Sequence, residues 1–462
     1  MESTSDHRSG KKKLSLLDSA MLIMGSMIGS GIFITSAQIA RDVKTPGMLL
    51  LSWAVAGIIT ILGALSYGEL AAAMPKAGGQ YIYLKEAYNK LIAFLYGWTL
   101  FTVIQTGTIA AVAVGFAKFT GIFIPEISAE HILLTIGILK ISTQQVLAIS
   151  VIILLTLTNF RSLKTGAIIQ NFFTAIKIIS LLGMIAIGFY FGCTGKGSFS
   201  HFSPAFPEVI SMGTLGIFGA ALVGSLFSAD AWNNITFTAG EVNQPQRNLP
   251  LSLILGTGTV LSIYFLANVM YLYILPIAQI QHAPQDRVAT LILETLLGKS
   301  GAFLMAAMII ISTFGCLNGI ILSGARVYYA MAKDKLFFPA AGKLNKKEVP
   351  ANALVMQAVW ASGLTLTGSY GNLLDYVMFA VILFYILTVI GIFILRIKRP
   401  EMERPYKALG YPFLPGLYIA FAGFFCVSLL AYKPEYSYPG LGIVLLGIPV
   451  YFLSNKLLMK AK

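Results

Sequence analysis

The sequence predicts an all-α polytopic membrane protein, and its composition, its apolar segments and two interruptions in those segments support that prediction. Of its 462 residues, 56% are hydrophobic and only 11% are charged, whereas a soluble protein has about 25% charged residues. So few charges cannot coat a water-facing surface of this size, and lipid must cover the rest. This composition excludes a soluble enzyme, a disordered chain and a conventional nucleic-acid-binding protein.

Twelve apolar segments are candidates for membrane-spanning helices, because each lacks Asp, Glu, Lys and Arg over a length close to the ~20 residues that a span needs. In chain order they cover residues 19–40, 45–68, 91–117, 141–160, 178–195, 209–229, 248–285, 300–325, 349–374, 376–395, 408–432 and 436–455. The fifth reaches full length only if it begins near Lys164 and includes Lys177. The sixth reaches Gly240 only if it includes Asp230, so two charged side chains are predicted within the membrane.

The charge distribution predicts that both termini are cytoplasmic. An even number of spans places the termini on one side, and cytoplasmic loops are enriched in Lys and Arg. With the N-terminus inside, 21 of these basic residues fall in inner segments and 8 in outer segments. We therefore attribute the net charge of +14 to cytoplasmic loops of a protein in the plasma (inner) membrane, and expect no nucleic-acid partner.

The first segment is predicted to be interrupted at its centre. Gly25, Gly29 and Gly31 fall within seven residues, and glycine costs about 1 kcal/mol in a helix interior. One interpretation is a close helix–helix contact, since Gly25 and Gly29 form a GxxxG packing motif. The other is an unwound break that exposes backbone amides and carbonyls, and the spacing alone fits both.

The sixth segment favours the second interpretation. Residues 211–240 are too long for one straight span, and they carry Gly224, Ser225 and then Asp230 near the middle. Interrupted helices at corresponding places in two halves of a chain mark the substrate site of inverted-repeat transporters. Unwound backbone at that depth is tolerated only where it lines a protein cavity.

Two such breaks offer chemistry that suits a zwitterion. Ser30, Gly31 and Ile32 would open the outer half of the first span, where free N–H groups and the positive end of a helix dipole attract a carboxylate. Freed carbonyls of the inner half, together with those near Phe227, would accept from an ammonium group.

Several motifs resemble those of the L-amino acid transporter family, within the amino acid–polyamine–organocation superfamily. The matching segments are Gly25-Ser-Met-Ile-Gly-Ser-Gly-Ile-Phe33, Tyr67-Gly-Glu-Leu-Ala-Ala-Ala-Met-Pro-Lys-Ala-Gly-Gly-Gln-Tyr81, Phe227-Ser-Ala-Asp-Ala-Trp-Asn-Asn234, Phe314-Gly-Cys-Leu-Asn-Gly319 and residues 326–357. They occur in the family's order along most of the chain. The chain is similar to bacterial-type members of this family.

The resemblance implies a fold of twelve transmembrane helices of the LeuT type, with discontinuous helices 1 and 6. Residues 1–14 would form a cytoplasmic tail, 15–192 the first inverted repeat and 193–398 the second. Residues 399–462 would form two peripheral helices and the C-terminal tail. It also implies alternating access for L-amino acids.

Carried over residue by residue, the resemblance implies a substrate site on the two broken helices. Its members would be Ser26, Met27, Ile28, Gly29, Ser30, Gly31, Phe227, Ser228 and Asp230. The residues of the first helix would contact the substrate carboxylate and side chain, while Phe227 would act as an outer lid. Ser228 and Asp230 would border the side-chain pocket.

Lys177 is the second charge predicted within the membrane, about 12 residues from either end of its span. A charge there is costly and should face protein partners. It could be neutral or paired with Asp230. In the family resemblance its ammonium instead bridges helix 1 to helix 8 in place of a sodium ion, with Thr313 and Cys316 as neighbours in a coupling or gating role beside Phe227.

These observations predict sodium-independent transport of neutral L-amino acids, most simply by exchange. A proton-coupled carrier, a carrier of cationic amino acids or amines, and a non-transporting sensor stay open as alternatives. Scattered cysteines and histidines indicate neither an enzyme nor a metal or cofactor site. Residues 119–140 lack the cysteine that animal members use to link a heavy-chain subunit, so no disulfide-linked partner is expected.

Overall fold

The computed structural model describes residues 14–137, 139–160, 163–367 and 370–460, and these are almost entirely helical. The predicted N-terminal tail lies outside the described residues apart from Leu14. In chain order the helices are α1 (Leu16–Met27), α2 (Gly31–Val43), α3 (Pro46–Ala73), α4 (Gln80–Ala87), α5 (Lys90–Thr99), α6 (Gln105–Thr120), α7 (Thr143–Asn159), α8 (Leu163–Phe191), α9 (Met212–Ser228), α10 (Asn234–Phe237), α11 (Pro245–Ile274), α12 (Ile277–Gln281), α13 (Val288–Leu297), α14 (Lys299–Lys333), α15 (Ala351–Thr367), α16 (Tyr370–Lys398), α17 (Phe413–Tyr432) and α18 (Pro434–Lys460). Strands β1 (Ile132–Ile136) and β2 (Leu139–Ser142) form an antiparallel hairpin between α6 and α7.

The described helices confirm a multi-pass membrane protein. Six of them are long and apolar enough to cross a membrane, and a seventh span, Lys90–Thr120, consists of α5, a π-helical segment (Leu100–Ile104) and α6. The bent pair of α1 and α2 makes an eighth. The shorter apolar helices include α7 and α9. Each of the twelve predicted segments falls on a helix, but the count of twelve spans and the repeat boundaries stay predictions.

Polar caps close the starts of several helices whose first amides would otherwise lack acceptors in an apolar environment. At α1, the Ser15 hydroxyl accepts from the amide of Asp18 while the Asp18 carboxylate accepts from the amide of Ser15. Ser142 and Ser211 form the same reciprocal box at α7 and α9. In such a capping box, two backbone amides at the helix start donate to nearby side-chain oxygens. Each of these helices therefore begins at a residue whose side chain accepts a hydrogen bond from the first turn.

Both predicted interruptions are present. Helices α1 and α2 meet at a bend of 43° around residues 28–30. Helix α9 ends at Ser228, and Ala231 adopts a φ of 67° before the short helix α10 begins. A positive φ is costly for a residue with a Cβ atom, so it marks a true break in the helix.

Gly25 shows that the packing interpretation of the first segment also holds. A Cβ atom at this position would lie 2.1 Å from Thr174 Oγ1 and 2.2 Å from Gln170 Nε2 on α8. Helix α1 therefore packs closely against α8 through Gly25, while Gly29 and Gly31 lie at the break. Helix α1 also packs against α11 and α14, whereas α2 packs against α9. The two halves of the first span thus have different neighbours.

The carboxylate of Glu69 ties α3 to the segment between α16 and α17. Its side chain is 3% exposed, and it accepts from Arg396 Nε at 3.0 Å and Arg396 Nη2 at 2.7 Å. Arg404 Nε lies 3.3 Å away, and the amide of Ala408 donates to it at 2.7 Å. A buried charge is stable only when paired and hydrogen-bonded in this way, so Glu69 organises this connection.

We expect Glu69→Gln to destabilise the protein strongly. Removing one partner of a buried ion pair leaves the other charge uncompensated, at a cost of about 3 kcal/mol or more. The melting temperature of the purified protein in detergent should fall by several degrees. Glu86→Gln is the matched control, because Glu86 pairs with Arg399 at 2.7 Å with 28% and 50% of these side chains exposed. Equal melting temperatures for the two variants would contradict the role given to Glu69.

Candidate functional site

The break in the first span exposes backbone groups in the interior of the protein. The amide of Ile28 still donates to the carbonyl of Met24, and that of Gly29 to the carbonyl of Met27. Helix α2 then starts at Gly31. The amides of Gly31 and Ile32 therefore lie in a first turn, where the helix supplies no acceptor. These groups are buried, and a helix start of this kind can bind an anion; that it binds a substrate carboxylate stays a prediction.

Lys177 on α8 holds the inner side of this break. Its ammonium donates to the carbonyl of Gly25 at 2.7 Å and to that of Ile28 at 3.0 Å, and the residue is 1% exposed. The two acceptors lie on either side of the end of α1. Pairing with Asp230 is not observed, since the carboxylate of Asp230 accepts from the hydroxyl of Tyr385 at 2.7 Å. Lys177 therefore bridges α8 and the end of α1, while its role in place of a sodium ion stays a prediction.

Helix α14 completes the bridge through residues only partly anticipated. Ser312 Oγ donates to the carbonyl of Ile28 at 3.1 Å, and Cys316 Sγ donates to that of Ser26 at 2.9 Å. Thr313 instead donates to the carbonyl of Ile309 within its own helix, at 2.8 Å. Residues four apart share a helix face. The sequence analysis named Thr313 and Cys316 on this helix; the Ser312–Cys316 spacing is the signal that could have identified the face at the break.

Helix α11 contacts both halves of the first span through a polar stripe that the sequence analysis missed. The hydroxyl of Tyr264 donates to the carbonyl of Met27 at 3.0 Å. Asn268 accepts from Ser36 Oγ at 2.6 Å, and the hydroxyl of Tyr271 donates to the carbonyl of Ile32 at 3.4 Å. The spacing of four and then three residues in an otherwise apolar helix is the signal that could have found it.

The carbonyls of residues 25–28 are thus each engaged by a side chain of α8, α11 or α14. This differs from the expectation that they stand open to the ammonium group of a substrate. Ser26 contributes a different group, because its hydroxyl is buried and has no hydrogen-bond partner among the described residues. A buried unpaired hydroxyl costs about 1–3 kcal/mol, so it marks a place where an added acceptor or donor would be favourable.

The outer half of the first span meets the end of α9 at Gly31. A Cβ atom on Gly31 would lie 2.3 Å from Ser228 Oγ, so only glycine permits this approach. Ser228 Oγ donates to the carbonyl of Gly224 at 2.8 Å and lies 3.1 Å from Thr35 Oγ1. Phe227 is 8% exposed at the same helix end. The structure therefore places Gly31 of the first broken helix directly against Ser228 at the end of α9.

A small polar cleft with a cavity volume of about 20 Å³ lies beside the second break. This volume holds about one water molecule, so the cleft is nearly closed in this structure. Its polar lining comes from four places: the third span on either side of its π-helical segment, helix α4, the break that follows α9, and helix α16. The polar lining residues include Gln80, Tyr96, Gln105, Asp230, Asn233 and Tyr385. Asp230 is the one predicted substrate residue that lines it; the predicted residues of the first span do not.

Gln80 closes one side of this cleft with a short hydrogen-bond chain. Asn233 Nδ2 donates to Gln80 Oε1 at 3.0 Å, and Gln80 Nε2 donates to Thr388 Oγ1 at 3.0 Å. The turn before Gln80 requires glycine, since Gly79 has a φ of 44° and a Cβ there would lie 2.3 Å from Thr236 Oγ1. This hydrogen-bond chain links the segment after α9 to α4 and α16.

Two broken helices in a multi-pass membrane protein are typical of membrane transporters. The amino acid permease family matches residues 14–445. The chain belongs to this family, and within it to the L-amino acid transporters. It is 30% identical over 457 residues to the large neutral amino acids transporter small subunit 2 of Homo sapiens, covering 96% of this chain and 80% of that protein.

Other relatives agree with this assignment. The Mus musculus large neutral amino acids transporter small subunit 2 is 31% identical over 453 residues, covering 96% of this chain and 81% of that protein. The b(0,+)-type amino acid transporter 1 of Homo sapiens is 28% identical over 453 residues, covering 96% and 88%. The protein is therefore an amino acid transporter and not an enzyme.

Gly315→Ala should displace the ammonium of Lys177 and impair transport. A Cβ atom at Gly315 would lie 2.7 Å from Phe173 Cβ, 3.0 Å from Lys177 Cε and 3.3 Å from Lys177 Nζ. Overpacking of this kind costs about 1–3 kcal/mol, so we expect about a 10-fold loss of amino acid flux in proteoliposomes.

Gly183→Ala is the matched control on α8, because nothing lies within 4 Å of a Cβ atom at that position. It should transport normally. A well-folded Gly315→Ala protein with unchanged flux would show that the position of this ammonium does not matter.

Proposed function

We propose that the protein is a sodium-independent carrier of neutral L-amino acids that works by exchange through alternating access. It would act in the plasma membrane with both termini in the cytoplasm. The observation that carries this proposal is the ammonium of Lys177 lying between the carbonyls of Gly25 and Ile28. A fixed cation at the break supplies the positive charge that a coupling ion would bring.

This geometry disfavours a sodium ion at the same place. Sodium would need carbonyl oxygens from the unwound segment, and those of Gly25 and Ile28 are already engaged by Lys177. Ser312 also donates to the carbonyl of Ile28. A second cation within a few ångströms of a buried ammonium would be strongly repelled, because the low dielectric there screens charge poorly.

The substrate would lie between the two helix breaks. Its carboxylate would bind the first-turn amides of Gly31 and Ile32, with the Ser26 hydroxyl within the same segment as a further polar contact. Its ammonium would face the C-terminal end of α9, where the negative end of the helix dipole favours a cation. Phe227 would cover the site on the outer side, and Met27, Ile28, Gly29, Ser30 and Ser228 would complete its walls.

A carrier for cationic amino acids or amines, or one coupled to protons, is the second candidate. It is favoured by the carboxylate of Asp230, which lines the polar cleft and has the neutral hydroxyl of Tyr385 as a hydrogen-bond donor. The relatives include one named for large neutral amino acids and one named a b(0,+)-type transporter.

We also propose that the protein works without a disulfide-linked partner. The relative from Homo sapiens is named a small subunit, but residues 119–140 of this chain contain no cysteine. Cys316 and Cys426 are buried and free, whereas Cys193 is exposed. A non-reducing gel of the natively expressed protein should therefore show a single species, and Cys193→Ser should leave it unchanged.

Exchange in proteoliposomes tests the main proposal. We expect uptake of a labelled neutral L-amino acid to be equal in sodium and choline buffers, because Lys177 replaces the ion. Uptake should rise about 10-fold when the vesicles contain unlabelled amino acid, as for a barrier about 1.4 kcal/mol lower in the loaded carrier. Loss of uptake without sodium would refute the role of Lys177, and uptake independent of internal substrate would refute exchange.

Asp230→Asn separates the two candidates. This isosteric change keeps an oxygen for the hydroxyl of Tyr385 but removes the charge. For a neutral carrier, we expect arginine and agmatine to compete poorly before and after the change. If they compete well with the native protein and lose at least ~10-fold in affinity in the variant, as removal of a charge-assisted contact predicts, the second candidate is correct.

A further inference from the structure

The connection between α14 and α15 carries a concentration of exposed positive charge. We call residues 333–350 the lysine loop. Its five lysines are all exposed: Lys333, Lys335, Lys343, Lys346 and Lys347. The loop also holds the acids Asp334 and Glu348, and the carboxylate of Asp334 is engaged by Lys85 at 2.6 Å and by the hydroxyl of Tyr81 at 2.8 Å. The loop therefore presents net positive charge to its surroundings.

The lysine loop is a fixed structure. The side chain of Asn345 accepts from the amide of Lys347 at 2.8 Å and from that of Val349 at 3.0 Å. Asn345 Nδ2 donates to the carbonyl of Phe160 at 3.1 Å, which fastens the loop to the end of α7. Lys346 and Lys347 thus lie on a turn that these hydrogen bonds hold, and adjacent like charges on a fixed turn favour nearby negative charge.

A second basic region, around the connection between α16 and α17, differs because its arginines are paired with carboxylates. There Arg396 and Arg404 bind the carboxylate of Glu69, and Arg399 binds that of Glu86. In the described part of the chain, by contrast, none of the five lysines forms an ion pair with a carboxylate. The lysine loop is therefore not explained by internal pairing.

The loop lies at the edge of the apolar surface that lipid must cover. Phe160, its anchor, directly follows α7, where Leu154 and Leu157 are 52% and 55% exposed. Helix α15, which follows the loop, exposes Val359 at 68%. The loop itself exposes Phe338 at 58% and Leu344 at 45%. Exposed apolar side chains interleaved with lysines are typical of segments that lie in a membrane interface.

We propose that the lysine loop binds anionic phospholipid headgroups. The ammonium groups of Lys343, Lys346 and Lys347 contact lipid phosphates, while Phe338 and Leu344 lie at the boundary between headgroups and acyl chains. Clustered lysines directly beside membrane-spanning helices attract acidic lipids in this way. This surface is separate from the substrate site, and with the proposed orientation it faces the cytoplasmic leaflet.

Lipid titration by native mass spectrometry tests the proposal on the full chain in detergent micelles. Phosphatidylglycerol and phosphatidylcholine are the two probes, and no amino acid is present, so the result does not depend on the transport proposal. The test variant combines Lys343→Gln, Lys346→Gln and Lys347→Gln. We expect it to bind phosphatidylglycerol at least ~10-fold more weakly than the native chain, because each lysine near a membrane surface contributes about 1 kcal/mol.

A matched control removes three charges elsewhere. Lys44, Lys140 and Lys299 are also exposed and lie in segments predicted to face the other side of the membrane, so Lys44→Gln, Lys140→Gln and Lys299→Gln together should leave phosphatidylglycerol binding unchanged. Both triple variants should keep the native melting temperature, since the described chain gives these lysines no ion pairs.

Three outcomes would overturn the proposal. The first is equal phosphatidylglycerol binding by the native chain and the lysine-loop variant. The second is an equal loss in both triple variants, which would indicate only a net-charge effect. The third is full competition by soluble glycerol phosphate, which would indicate a site for small anions instead of a membrane surface.

Discussion

The ammonium of Lys177 and the carbonyls of the broken first helix depend on each other. A charge at this depth has no water to solvate it, and carbonyls released from a helix have no backbone donors. Here each satisfies the other, since Lys177 donates to Gly25 and Ile28 on the two sides of the end of α1. Tyr264, Ser312 and Cys316 occupy the remaining acceptors. The break is therefore stable only because three other helices supply donors to it.

Small residues make that arrangement sterically possible. Gly315 leaves room for the Lys177 side chain, and Gly25 and Gly319 leave room for Gln170 between α1 and α14. A Cβ atom on Gly319 would also lie 2.8 Å from Ser26 Oγ. Lipid tails are as apolar as a protein core, so the hydrophobic effect does not drive helices together within a membrane. Helix packing there depends on close backbone approach and on hydrogen bonds between helices. The glycines thus provide the space in which the polar side chains reach the broken helix.

The sequence was sufficient for the helical class and the two breaks, because each leaves a local mark: apolar length or clustered glycine. An isolated charge marked Lys177 as buried, but the residues alone left its partner open, and the bridge to helix 1 was an implication of the family resemblance. The sequence was insufficient for contacts that depend on helix rotation. Thr313 was predicted beside Lys177, but Ser312, one residue earlier, points at the break. Tyr264 and Tyr385 were missed for the same reason. When a helix is apolar on all sides, its sequence does not show which face points into the protein. The roles of the site residues in binding stay predictions.

Exchange, as proposed, has a physical basis in the same groups. During a return step with no substrate, the first-turn amides of Gly31 and Ile32 and the hydroxyl of Ser26 would be closed off from water without a partner. Each buried polar group left unpaired costs about 1–3 kcal/mol. A bound amino acid would supply acceptors for these donors and thereby remove the penalty. The loaded carrier would then cross between its two open states faster than the empty one, and a carrier that crosses only when loaded is an exchanger.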